Sequence, residues 1–496
     1  MADGGAPITA RPRAPVLIDS RGRPLRANAL YDAARYTRRT AGWSANSTGP
    51  NREIATDLQT LRNRHRDLAR NNPWVRRAIQ ALVTNTIGPG IRCQWESAER
   101  QARWSRWWES TDCDADGRLT GYGIQALALR ATVESGAALL RRRPRRPQDG
   151  LDIPLQLQLL EPDYIDHNKT EAIANGGYIT QGIEFGPFGR RQAYWLRPEH
   201  PGDPTPRMTA GTSKRHPAED FAHQYRIDRP GQVHGVPWGT GAMTRARMLD
   251  DYQDAQLERH RNAACYMAFR RIADPSLLND EQTDAINAAV GEYQLSDRFE
   301  PGIMQDLPPG MDIEFAQPPQ PENDKDFQIA ILRAVAADYG IPYEVLTGDL
   351  SEVNFSSARM GWNEFARNID HWRWQMIHPQ ILAPIERWYL EAEAIAGHDT
   401  TGARALWTAP SRTMVDKTRE IKPLIEEIRA GLISLPEAIR QVGYDPVTLA
   451  QEQAEFIAVL DHLGLKVSSV PSHDANQQTL DANTQEAPNA DQTNPD

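Results

Sequence analysis

Apolar positions along the chain follow three successive patterns: compact helical stripes, then strand-like alternation, then long helices with thin stripes. From about Asp57 to Arg70 a helix carries Leu58, Leu61 and Leu68 on one face. Asn72 is placed to cap a second helix whose first residue is Pro73, where the missing donor of proline costs nothing. Val75, Ile79, Leu82 and Val83 give this helix its buried face, and Gly88-Pro89-Gly90 ends it. Trp104, Trp107 and Trp108 recur at i, i+3 and i+4, the spacing of a buried stripe rather than of a base-stacking platform.

Leu155, Leu157 and Leu159 alternate with Gln156 and Gln158, which predicts a half-buried strand. Ile179, Ile183 and Phe185 lead to a hairpin turn at Gly186-Pro187-Phe188-Gly189, and Ala193 to Leu196 return from it. Residues Pro198 to Pro217 are rich in Pro, Gly, Thr and charge and read as an exposed loop. From about Thr240 to Ile272 the period is helical, with Met243, Leu249, Tyr252 and Leu257 among many Arg, Asp and Glu residues. A helix of that span is on the order of 50 Å long, and so narrow a seam needs a neighbour, from this chain or another copy. A compact insert follows Asp274-Pro275, with a helix at Glu281 to Tyr293 and two strands around Leu307-Pro308-Pro309-Gly310. A helix at Asp324 to Tyr339 leads to a turn-rich loop, Gly340 to Asn354. A rod from about Ser357 to Ala396 comes next, with kinks expected at Pro379 and Pro384. Helices near Thr418 to Ala430 and Leu435 to Val442 close the ordered part, and Ser468 to Asp496 is too polar to offset its ordering entropy and reads as a disordered tail.

Charge and composition narrow the function classes. The 496 residues hold 56 Lys plus Arg against 66 Asp plus Glu, a formal charge of -10, which argues against a general nucleic-acid coat. No run of about 18 apolar residues exists to span a bilayer, and Met1 to Arg13 lacks a signal-peptide core, so no membrane partner is expected. Cys93, Cys113 and Cys265 lie far apart, which offers no disulfide framework or CxxC knuckle and fits a reducing compartment.

Catalytic signatures are missing. The chain has no GxxxxGK[ST], HExxH or GxSxG, and its scattered His and Asp gather no triad. Asp112 to Gly117 resembles the first half of a calcium loop, but Gly123 stands where a bidentate Glu is needed, so a polar turn is the better reading. His216, His223 and His234 lack zinc-ligand spacing. His216 falls in the Pro-rich loop and His223 in a strand. No catalytic residue, metal or cofactor is therefore expected. The strongest basic block, Arg141, Arg142, Arg143, Arg145 and Arg146, is interrupted by Pro144 and placed in a strand-to-strand connection, as solvated arginines or as a DNA or subunit contact.

Several segments in fixed order resemble the lambda-type family of tailed-bacteriophage portal proteins. They are Arg66 to Arg92, Trp107 to Gly117, Leu159 to Ile165, Gly182 to Trp195, His223 to Pro237, Ala336 to Arg359 and Trp407 to Gly443, within a span from about Ala27 to Gln453. The resemblance implies an α+β portal fold, a mixed α/β wing with a long-helix stem, small clip, tunnel loop and helical crown, assembling as a dodecameric ring. The expected divisions are an arm at 1–26, wing at 27–239, stem helices at 240–273 and 324–339 and clip at 274–323. The tunnel loop falls at 340–356, the kinked helix at 357–408, the crown at 409–465 and the acidic tail at 466–496. Implied partners are double-stranded DNA in the channel, the terminase large subunit, the major capsid protein and head-completion or adaptor proteins. The place is the capsid portal vertex, and the host cytoplasm during assembly. Within that frame Asp349, Glu352, Asn354 and Ser356 are expected near the lumen, and Glu281, Asp284, Asp297, Arg298 and Asp306 at the terminase-docking end. A hydrolase or nuclease, and a head-tail connector ring of another kind, are the competing readings. The first lacks motifs, and the second does not account for the length.

Overall fold

The structure, a computed structural model, describes residues 32–34, 37–43, 45–203, 212–264, 268–272, 280–281, 284, 311–315, 324–351, 355–410 and 417–465. The chain divides into two units, Met1–Gly49 and Pro50–Asp496. The first contributes a short 3-10 turn at Asp32–Ala34 and a turn in which Thr37 and Thr40 bond each other.

The second unit begins with helix α1 (Pro50–Asn71), seven residues longer at its start than the leucine stripe predicts. Helix α2 (Pro73–Thr86) follows, and Asn72 caps it as expected, its side-chain oxygen accepting from the Val75 N–H at 2.8 Å. Strand β1 (Arg92–Trp95) and helix α3 (Ala98–Trp108) come next. The Asp112 segment is a polar turn, in which the Asp114 carboxylate accepts from the backbone N–H groups of Asp116, Arg118 and Leu119. Helix α4 (Gly121–Ser135) then runs beneath the sheet. Its first residue must be glycine, because a Cβ there would lie 2.0 Å from the Trp108 ring.

Strands β2 (Ala137–Pro144), β3 (Leu155–Leu160) and a later strand form one antiparallel sheet with β2 in the middle. Between them β4 (Glu171–Ala172), β5 (Tyr178–Thr180), β6 (Ile183–Phe185), β7 (Arg191–Leu196) and β8 (Lys214–Pro217) make a five-stranded meander. Strand β9 (Phe221–Tyr225) completes the first sheet. The β6–β7 hairpin forms where the sequence predicts it, with a register shift at Glu184/Phe185. Two expectations are corrected here. Arg141, Arg142 and Arg143 lie within β2 rather than in a connection, since the strand continues to Pro144 as an edge residue paired with Leu155. His216 lies in β8, paired with Tyr194, so the end of the Pro-rich segment is sheet and not loop.

Helix α5 (Met243–Ala264) is shorter than the predicted rod. Residues Ala268–Ile272 instead form β10, antiparallel to β11 (Met311–Phe315), as Phe269 and Ile272 favour strand once the helix has stopped. The expected strand region Leu307 to Gly310 lies outside the described residues. Helix α6 (Asp324–Tyr339) packs on α5, and a short helix α7 (Tyr343–Thr347) follows.

The predicted rod consists of α8 (Phe355–Trp372), a π-helical stretch Arg373–Leu382 and α9 (Ala383–Ile395), with no loop between them. The widened π turn accommodates Pro379, whose ring would clash inside an α-helix. Pro384 falls in the first turn of α9, where its missing N–H does no harm. The same stretch aims the buried Arg373 at the end of α2, where it donates to the Thr86 and Asn85 carbonyls at 2.7 and 3.0 Å. Strand β12 (Ala405–Thr408) returns to pair with β1. Helices α10 (Lys417–Arg429), α11 (Leu435–Gln441) and α12 (Pro446–His462) end the described chain; α12 lies beyond the last helix that the sequence pattern predicted.

The core sits where α2, α3, α4, the β3-β2-β9 sheet and α9 meet. Trp104 stacks on Trp108 at 5.0 Å and meets Tyr389 edge-on at 4.7 Å, so the tryptophan stripe is core, as its spacing predicts.

Candidate channel and docking surfaces

Helices α5 and α6 form a pair held by polar contacts at their far end and apolar ones at their base. Tyr252 donates to Asp324, Arg259 pairs with Asp324 at 3.4 Å and Gln253 bonds Gln328 at 3.1 Å. At the base, Met243, Ala246 and Leu249 of α5 are buried, as are Leu332, Val335, Ala336 and Tyr339 of α6. Asp338 caps the start of α5 by accepting from the Ala242 N–H at 2.9 Å. His65 of α1 locks this base in place. It donates from Nδ1 to the Glu134 carbonyl at 2.7 Å and accepts at Nε2 from the Tyr339 hydroxyl at 2.5 Å. Asn72 ties the pair to α2 through Asp250 at 2.9 Å. The opposite side of α5 is bare, with Met248 and Leu257 exposed among Arg245, Arg247, Asp251, Asp254 and Glu258.

The segment after α6 is only partly free. Gly340 turns the chain at φ +68°, Ile341 and Leu346 are buried, and Arg77 donates to the Val345 carbonyl at 3.3 Å. Gly340 to Thr347 is thus a packed corner with a short helix, where the sequence predicts a turn-rich loop. The exposed part begins at Gly348, φ +73°, and includes Leu350 and Ser351. Asp349 accepts from the Ser351 N–H at 3.0 Å, and its hydrogen bonds to Ser351 hold the carboxyl below its usual range. Glu352 and Asn354 lie outside the described residues. Ser356 falls in the first turn of α8, one residue inside a helix that starts earlier than expected.

Glu281 and Asp284 are exposed helical residues, while Asp297, Arg298 and Asp306 lie outside the described residues. The structure separates the five arginines. Arg142 is drawn into the chain by Asp220 at 2.6 Å, Glu391 and Glu219. Arg141 lies over the Phe221 ring, Arg145 donates to Gln156 at 2.7 Å, Arg143 is half-buried and Arg146 is exposed.

Three features escaped the sequence pattern. Arg62 and His65 fall in the α1 stripe with Leu58 and Leu68, a spacing that could have marked them as buried. Burial lowers His65 to about 4 and Arg62 to about 10. Glu161, Asp163 and His200 come close enough to suggest a metal. However, Asp163 is already clamped by Arg66 at 2.6 and 3.2 Å and by Gln59 at 3.2 Å. Burial would raise the Asp163 carboxyl, but the Arg66 bond and the charges of Arg62 and Arg66 hold it well below its usual range. Both carboxylates are spent on Arg66, so the set does not suit a cation.

The third feature is the C-terminal end. From Ile421 to Leu465 the buried apolar residues are Ala438 and Leu460, while Ile421, Ile425, Leu432, Leu435, Tyr444, Val447, Phe456, Val459, Leu463 and Leu465 are exposed. Helices this apolar and this open suit a component of a larger assembly.

The comparisons specify which assembly. The model of the lambda family of phage portal proteins matches residues 36–373, more than half of the chain, and the chain belongs to that family. It is a structural portal protein of the capsid vertex. The chain is similar to the probable portal protein of Halomonas phage phiHAP-1, 24% identical over 465 residues, covering 88% of this chain and 87% of the relative. Portal protein B of Escherichia phage lambda is 22% identical over 467 residues, covering 81% and 84%. Among solved structures, a chain in the neck of a native gene transfer agent particle, computed with C12 symmetry, has a TM-score of 0.46 and 15% identity, over 79% of this chain and 94% of that one.

Proposed function

We propose that the protein assembles as a dodecameric ring around a channel for double-stranded DNA. In this reading residues 27–239 form the wing, α5 and α6 the stem, residues 274–323 the clip and residues 409–465 the crown. The observation that carries it is the unsatisfied apolar surface of the C-terminal helices together with Met248 and Leu257 on α5. A head-to-tail contact between identical copies covers such faces and closes on itself. The clip, with Glu281, Asp284, Asp297, Arg298 and Asp306, docks the terminase large subunit and later the head-completion or adaptor proteins. The wing sits among major capsid protein subunits. Assembly takes place in the host cytoplasm.

The role is mechanical, and no bond-making step is assigned to any residue. A channel wall that carries carboxylates rather than cations limits phosphate neutralisation, which keeps the duplex free to slide. Asp349 with Glu352, Asn354 and Ser356 faces the lumen in this reading, and Arg146 is the arginine of its run left for a DNA or subunit contact. Electron microscopy of the purified protein should show annular particles with a central hole. Deleting residues 347 to 355 should preserve those rings yet impair DNA retention in packaged heads. Rings that retain DNA normally without the loop would remove it from the mechanism, and a solitary subunit at high concentration would remove the ring.

A further inference from the structure

We propose that the interior of the α/β region binds a small monovalent inorganic anion of halide size, held by Arg62, His167, His223 and His234. These side chains come from α1, the turn after β3, β9 and the loop leading to α5. Arg62 is fully buried. Its Nε donates to the Ser135 carbonyl at 2.9 Å and its Nη1 to His167 Nε2 at 2.7 Å, while Nη2 is buried with no partner. The His167 and His234 rings lie 4.5 Å apart, and those of His223 and His234 5.7 Å.

The tautomers follow from the partners. A guanidinium only donates, so His167 Nε2 must accept from Arg62 and its proton sits on Nδ1. The Pro162 carbonyl 3.0 Å from the same Nε2 would ask for a proton there, but that proton would face the guanidinium. Arg191 Nη1 approaches His223 Nδ1 at 3.5 Å, which puts the His223 proton on Nε2. Arg62 Nη2, His167 Nδ1 and His223 Nε2 are therefore three buried donors with no acceptor among the described residues. Buried donors are rarely left so.

Charge favours an anion over water as the acceptor. Neither Arg62 nor Arg191 has an ion pair among the described residues, and Asp163, the carboxylate closest in influence, is clamped by Arg66. His234 donates from Nε2 to the Gln181 carbonyl at 2.9 Å and keeps a bare Nδ1, where an adjacent anion would favour uptake of a proton from solvent and so create a fourth donor. The charged and titratable groups facing it are Arg62, His167 and His223. With the His167 and His234 rings in edge-to-face contact, the occupant proposed beside them is a single heavy atom rather than a tetrahedral oxyanion. Gln181 adds an independent sign. It is the one non-glycine with positive φ, +48°, among the described residues, pinned by bonds to Thr170, Asn51 and His234. Strained backbone of this kind gathers at ligand clamps.

Crystals of the full chain grown in sodium bromide, measured at the bromine edge, should show an anomalous peak within hydrogen-bond reach of Arg62 Nη2, His167 Nδ1 and His223 Nε2. Thermal unfolding followed by tryptophan fluorescence should give a higher Tm in sodium chloride than in sodium gluconate at equal ionic strength, by on the order of 2 °C. Arg62→Gln, or His223→Phe should the first fail to fold, should abolish that difference. Ordered water without bromide at this position, or identical Tm values of the unaltered protein in the two salts, overturns the proposal.

Discussion

The α/β core and the C-terminal helices use the same helical periodicity, but among the described residues only the first finds a surface in its own chain to face. In the core, α3 brings Trp104, Trp107 and Trp108 against Tyr389 of α9; the Trp107 N–H donates to the Leu155 carbonyl at 2.9 Å, while those of Trp104 and Trp108 have no partner among the described residues. Glu393, fully buried, is held by Arg100 at 2.7 Å and Arg103 at 2.8 Å. The C-terminal helices carry caps just as good, with Ser434 accepting from the Glu437 N–H and Asp445 from the Thr448 N–H, yet leave their apolar side chains in solvent. Local signals therefore make helices in both regions. What differs is the partner, which the core supplies from within and the C-terminal helices lack among the described residues.

Three experiments break or sharpen this contrast. The largest effect belongs to Glu393→Ala, which leaves two arginines facing each other without their buried carboxylate and should destabilise the subunit by about 3–5 kcal/mol, read from the denaturant midpoint. A loss below about 1 kcal/mol would mean the core tolerates unpaired charge and is less saturated than its geometry indicates. Acidification comes next. Burial lowers His65 to about 4 and His167 to about 3, so between the ordinary histidine value and these values the unfolded chain binds more protons than the folded one. Stability is complete above about pH 6.5 and falls as the pH drops, by about 1.4 kcal/mol per pH unit for each histidine. His65→Gln should flatten that slope in urea titrations at pH 6 and pH 4.5, and an unchanged slope would place the acid sensitivity elsewhere. The smallest effect on subunit stability is expected from Ile425→Asp, within about 0.5 kcal/mol because the site is already exposed. The same change should abolish annular particles in electron micrographs. Rings of normal yield would show that Ile425 is not covered by a second copy.

Helix starts, strand alternation and the tryptophan stripe were legible in the sequence because each is decided within a few residues. Asn72-Pro73 fixes a helix start, the Leu155 alternation fixes a face, and the i, i+3, i+4 spacing of Trp104, Trp107 and Trp108 fixes burial. The end of α5 was not legible, since the helical period runs on past Ala264 and only pairing with Met311–Phe315, far along the chain, turns Ala268–Ile272 into strand. Nor was the state of the loop after Tyr339. Gly340 and Gly348 look alike in sequence, but a Cβ on the first would meet the Trp372 ring at 3.5 Å and one on the second would meet open space.

The sequence by itself determined the family, the order of helices and strands and the positions that had to be apolar, because periodicity, caps and turns are short-range physics written in neighbouring residues. The tertiary structure alone decided how buried charge is partnered. Arg142 is committed to Asp220 and Glu391, Asp163 is clamped by Arg66, and Arg62 lies among three histidines. Such pairings join residues tens to hundreds of positions apart, and the energy of a charge depends on which groups surround it in space, not on which precede it in the chain.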